Sequence, residues 1–99
     1  MSGLKVFGAD WCGYTKKFSA DFSADEVRYA DAGVSVEYIN CAKDDETSKM
    51  CVDRGIKGFP TFENSCGQVR AGYAPTDANI SFATGCTQQQ GGGSNVPEL

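Results

Sequence analysis

Residues 4–8, Leu4-Lys5-Val6-Phe7-Gly8, form a short apolar run that reads as a buried strand. A helical pattern starts at about Gly13, with Phe18 and Phe22 four apart on one face. Ser23-Ala24-Asp25-Glu26 has the capping-box form, which predicts a break and restart of this helix near Ser23; Gly33 then ends it. Residues 34–40 set Val34, Val36 and Tyr38 against Ser35, Glu37 and Asn40, the alternation of a strand with one polar face. Ile39 interrupts that alternation and marks burial on both faces. A second helix fits residues 44–54, with acidic residues at its start and Gly55 at its end. Residues 61–63 and 69–71 read as strands joined by the turn Asn64-Ser65-Cys66-Gly67-Gln68. Thr76 or Asp77 caps a last helix that carries Ile80 and Phe82 to about Thr84. From Gly85 the chain turns to Gln88-Gln89-Gln90-Gly91-Gly92-Gly93-Ser94, the composition of a linker.

Ninety-nine residues make one domain. Nine basic against thirteen acidic residues give a net charge of −4, with no basic stripe for nucleic acid. No run is long enough to span a membrane. The start, Met1-Ser2-Gly3-Leu4-Lys5, shows no signal peptide, which by default implies the cytoplasm. Five cysteines point the other way, toward an oxidising compartment or a particle surface.

The chain has no histidine, so a Cys–His pair, a Ser–His–Asp triad and any His-ligated metal are excluded within it. None of Cys12, Cys41, Cys51, Cys66 and Cys86 forms a Cys-x-x-Cys pair, and no metal site is expected. Cys12 stands at the turn from the first strand into the first helix. There, backbone N–H groups and the helix dipole stabilise the reactive thiolate. Lys16, Lys17 and hydroxyl donors are the other sources of activation.

Asp10-Trp11-Cys12-Gly13-Tyr14-Thr15-Lys16-Lys17, followed later by Gly58-Phe59-Pro60-Thr61, resembles the thioredoxin-like superfamily. There a Trp-Cys-Gly-x-x-Lys active site is paired with a later cis-proline. The resemblance covers residues 4–84 and implies an α/β fold of order β-α-β-α-β-β-α, a central four-stranded mixed sheet flanked by helices. Residues 1–86 would be the domain and 87–99 a Gln/Gly-rich tail.

Within the superfamily, Tyr38-Ile39-Asn40-Cys41, Met50-Cys51 and Gly55-Ile56-Lys57-Gly58-Phe59-Pro60-Thr61-Phe62 are similar to the thioredoxin-like domain attached to vitamin K epoxide reductase homologues. That resemblance implies a Cys41–Cys51 disulfide beside the active site; the alternative is two small buried apolar residues. The topology of the fold also puts the Cys66 turn and Cys86 at the pole away from the site. They would be either a second disulfide, adding ~3 kcal/mol, or two independent thiols.

Where redox relatives carry a second active-site cysteine, this chain has Thr15. Thr15 cannot resolve a mixed disulfide, but its hydroxyl can support the Cys12 thiolate. Cys41, at the end of the second strand, is the one internal candidate for resolution. Where thioredoxins place a buried carboxylate on the first strand, this chain has Val6. Trp11, Gly13, Tyr14, Phe59, Pro60 and Thr61 would line the substrate groove, where the backbone before the proline pairs with an extended substrate. Asp10 reads as a surface residue.

The resemblance therefore implies monothiol exchange with protein thiols or disulfides, with no resident cofactor and with glutathione as a fitting co-substrate. Cys12-Gly13-Tyr14-Thr15 also resembles monothiol glutaredoxins that hold a [2Fe–2S] cluster with glutathione. Those need a basic residue before the cysteine, where Trp11 stands here. They also need a Gly-Gly-Cys-Asp-type site, of which residues 71–77 keep only a trace; both speak against a cluster. From a different class comes a non-catalytic interaction module, whose tail would be held by an assembly partner.

Overall fold

A computed structural model describes the backbone of residues 2–92 and the side chains of residues 2–85. The elements follow as β1 (Ser2–Gly8), α1 (Gly13–Asp31), β2 (Val34–Asn40), α2 (Asp45–Asp53), β3 (Thr61–Asn64), β4 (Val69–Ala71) and α3 (Thr76–Gly92). The sheet order is β2-β1-β3-β4. β1 pairs parallel with β2 and antiparallel with β3, and β4 closes a hairpin with β3. This is the mixed four-stranded sheet and the element order expected from the sequence.

The period of two along β1 splits the core between the two faces of the sheet. Leu4 and Val6 point to one face, where Phe18 and Tyr29 of α1, Phe62 of β3 and Ala83 of α3 bury them. Phe7 points to the other, against Cys41, Cys51, Ile39, Ile56 and Phe59. Lys5 shares that second face but stays exposed, since α2 covers only the end of the sheet where Phe7 lies. Ile39 packs beside Phe7, which accounts for its break in the β2 alternation.

The helix boundaries follow local chemistry. Asp44 caps α2 by accepting the Thr47 N–H at 2.7 Å. Inside α1 the backbone leaves helical geometry at Asp25 (φ −114°, ψ 18°), two residues past the predicted break at Ser23. The Asp25 carboxylate accepts the Thr76 hydroxyl at 2.5 Å, which ties this kink to the start of α3. Gly33, at φ 75°, takes the left-handed conformation that turns α1 into β2.

One boundary differs from the sequence reading. The last helix does not stop near Thr84 but runs to Gly92, through the glutamines read as linker. Gln is a good helix former, so a Gln88–Gln90 run suits a helix as well as a linker.

Cys41 and Cys51 form a disulfide with a Cα separation of 6.0 Å. The alternative of two buried free thiols is thereby corrected. Closing so short a loop contributes ~2–3 kcal/mol through the unfolded chain. Cys66 is also disulfide-bonded. The side chain of Cys86 and residues 93–99 lie outside the described residues, as does any Cys66–Cys86 pairing. Among the described residues no helix is long and apolar enough to cross a membrane.

Candidate functional site

Three chain segments meet at one end of the sheet. β1 ends at Gly8, and the turn that follows is closed by the Cys12 N–H on the Ala9 carbonyl at 2.9 Å. β2 ends beside it, with the Cys41 N–H on the Gly8 carbonyl at 2.7 Å. β3 begins there too, because Thr61 pairs with Phe7 and brings Pro60 to this end; the Phe59–Pro60 peptide bond is cis. Cys12, Cys41 and Pro60, 48 residues apart in sequence at most, are therefore gathered by strand register alone.

Cys12 is the N-cap residue of α1, half-buried, and a free thiol. Its protonated form donates to the Phe59 carbonyl at 3.7 Å. Its pKa is lowered from the ordinary thiol value, chiefly by the Thr15 backbone N–H; partial burial opposes this, and the Thr15 hydroxyl and Tyr14 N–H add to it. No side-chain hydrogen bond of strict geometry caps the helix, so these donors act as a cluster facing the sulfur. The buried Thr15 Oγ1 accepts the Ala9 N–H at 3.3 Å, which leaves its own proton for Cys12. Gly8 makes this possible: a Cβ there would lie 2.7 Å from Thr15 Cγ2 and 2.9 Å from Tyr38 Cε1.

Aromatic rings rim the site on both sides. Trp11, 67 % exposed, meets Phe59 edge to face at 5.9 Å. On the other side Tyr14, 64 % exposed, lies 6.5 Å from Tyr73, over whose ring Lys17 Nζ sits at 4.9 Å. The Trp11 and Tyr14 rings both leave apolar surface in water beside the thiol. The Thr61 hydroxyl donates to the Gly58 carbonyl at 2.7 Å, and the Gly72 N–H to the Pro60 carbonyl at 2.8 Å, fixing the backbone around the proline. Behind Trp11 and Phe59 opens a cleft of ≈ 240 Å³, lined by Ala9, Ser48, Ile56 and the Cys41–Cys51 disulfide.

Asp10 is more than a surface residue. It accepts the Tyr38 hydroxyl at 3.1 Å and the Asn40 amide at 2.8 Å, while Asn40 Oδ1 takes the Asp10 and Ala42 N–H groups. Burial, with the Asp10 carboxylate accepting its proton, pushes the Tyr38 phenol up to about 12. This clamp fastens the turn before Cys12 to the end of β2. Sequence spacing gives no sign of it, because it joins residues 28 and 30 apart. Val6 pairs with Tyr38 and is fully buried among apolar side chains, so that strand position holds no carboxylate. Among the described residues no group of three or more Cys, Asp or Glu is arranged to hold a metal ion.

Solved structures share this architecture. The first thioredoxin domain of mouse protein disulfide-isomerase A4 matches with a TM-score of 0.69 and 20% identity, over 99% of this chain and 70% of that one. Human ERp44 in its zinc-bound form matches with a TM-score of 0.62 and 21% identity, over 90% of this chain and 26% of that one. Thioredoxin O2 of Arabidopsis thaliana matches with a TM-score of 0.54 and 18% identity, over 90% and 74%. The fold is thioredoxin-like. A 59-residue stretch, 58% of the chain, is 36% identical to sulfhydryl oxidase 1 of Gallus gallus, and the chain spans 8% of that protein's length. No family model matches the chain.

Proposed function

We propose that this protein carries out thiol–disulfide exchange on protein substrates through Cys12, as a monothiol site. The observation that carries the reading is the cluster of donors at Cys12, two N–H groups and the Thr15 hydroxyl, which favours the thiolate and lowers the thiol pKa, beside the cis Phe59–Pro60 bond whose carbonyl Cys12 meets. The likeness of 59 residues to a sulfhydryl oxidase supports the same chemistry. So does the disulfide between the end of β2 and α2, the feature expected from similarity to the thioredoxin-like domains of vitamin K epoxide reductase homologues.

In this reading the Cys12 thiolate attacks a substrate disulfide held along the Phe59–Pro60 backbone. One substrate sulfur leaves as thiolate and the other stays on Cys12. Thr15 has no thiol to displace it. A second thiol, from glutathione or from protein, completes the exchange.

The test is the pH dependence of Cys12 alkylation by iodoacetamide, read site by site by mass spectrometry. The expected midpoint lies below the free-thiol value of about 8.5. Thr15→Ala moves it upward and Thr15→Ser brings it back. A midpoint at the free-thiol value, unmoved by either change, rejects the exchange reading and leaves an interaction module with exposed aromatic rings.

A further inference from the structure

We infer that the Cys41–Cys51 pair is a second redox centre, which exchanges with Cys12 and supplies the resolving thiol that position 15 lacks. The inference rests on the reading of Cys12 as an exchange site.

Placement carries it. Cys12 and Cys41 hang from consecutive carbonyls of one strand end, through the Cys12 N–H on Ala9 and the Cys41 N–H on Gly8. The disulfide forms part of the wall of the cleft behind Trp11 and Phe59, and the Phe59 carbonyl is the group that Cys12 Sγ touches. Trp11 and Phe59, in edge contact at 5.9 Å, line that cleft together with the disulfide. Trp11 is two-thirds exposed. A structural disulfide would be as effective anywhere along the sheet. This one instead lines an open cleft beside a nucleophile that has no partner.

The steps balance from the dithiol form of Cys41 and Cys51, which an external thiol such as glutathione supplies by reducing the bond seen in the structure. Cys12 thiolate attacks a substrate disulfide; one substrate thiolate leaves and the other sulfur is bound to Cys12. Cys41 thiolate attacks the Cys12 sulfur, and the second substrate thiolate leaves. Cys51 thiolate then attacks the Cys41 sulfur, Cys12 leaves as thiolate, and the Cys41–Cys51 disulfide is restored. Two electrons pass from the cysteine pair to the substrate disulfide, and the two released thiolates take up protons. Run backward, the same steps oxidise a substrate dithiol.

The test uses the full chain, reduced and freed of reductant, mixed with one equivalent of dithiobis(nitrobenzoate). Two equivalents of nitrothiobenzoate are expected: the first from attack by Cys12, the second by a first-order step independent of protein concentration. Peptide mapping should then find Cys41–Cys51 closed and Cys12 free. The oxidised chain, which keeps the Cys41–Cys51 bond, is the folded control. There the adduct on Cys12 should persist on the order of a hundredfold longer, the gain expected when reacting groups share one molecule. Cys51→Ser should trap a Cys12–Cys41 disulfide. An adduct equally long-lived in the reduced chain, or a product disulfide at Cys66 in place of Cys41–Cys51, overturns the relay alone. Failure of Cys12 to release even the first equivalent overturns the exchange reading, and the relay with it.

Discussion

Thr15 is the residue on which the site turns. It lies one turn into α1 from Cys12, and its hydroxyl links the Ala9 N–H to the Cys12 sulfur. Its position is set by Gly8, across which Thr15 and Tyr38 close. Gly8→Ala should therefore do two things. It should lower stability by about 1–3 kcal/mol, the usual cost of overpacking, read as a lower urea midpoint. It should also raise the pH midpoint of Cys12 alkylation, because Thr15 must move. Loss of stability with an unmoved midpoint would show that Gly8 serves packing only. Trp11, Cys12 and Thr15 share one short run and Pro60 lies in a second, so each could be picked out in the sequence, while their meeting depends on strand register. Asp10 could not. Its partners Tyr38 and Asn40 reach it only once β1 and β2 align in parallel, and no local pattern encodes that register.

At the scale of elements, apolar patterning located β1, α1 and β2, while turn and capping signals located α2, the β3–β4 hairpin and the start of α3. Asp44 shows the cap's energetic side. Its carboxyl is held below the usual range, first by the Thr47 backbone N–H and then by the Thr47 hydroxyl. The folded value is the lower one, so the stabilisation is present in full above the unfolded value of about 3.9. It is lost as the pH falls through the folded value. Urea midpoints of the native chain and of Asp44→Ala should therefore differ at neutral pH and converge in acid; a constant gap would mean that charge plays no part in the cap. The end of α3 was misjudged from sequence for a related reason. Gln88–Gln90 and the glycines around them read as a linker, but Gln is itself a good helix former and suits a helix as well as a linker.

On the scale of the whole molecule, the two faces of the sheet are unequal. α1 and α3 bury one face with Phe18, Tyr29 and Ala83 over Leu4 and Val6. The other is roofed only at the Cys12 end, by α2 and its disulfide. Beyond the roof, Lys5 lies across from Glu37 on one neighbouring strand and Glu63 on the other, and Glu63 pairs with Arg54. The fold was legible because its strands and motifs came in a recognisable order. The state of Cys41 and Cys51 was not fixed by the residues themselves, because two buried thiols and one disulfide leave the same sequence.

That roof also makes the chain its own optical reporter. Trp11 is the single tryptophan, and it lines the cleft that the Cys41–Cys51 bond helps to wall. Disulfides quench excited indoles at short range, whereas separated thiols quench them less. Tryptophan emission should rise when that bond is reduced, and it should stay flat in a chain carrying Cys41→Ser and Cys51→Ser. Native fluorescence, with no dye attached, would then follow the redox state of this protein in real time.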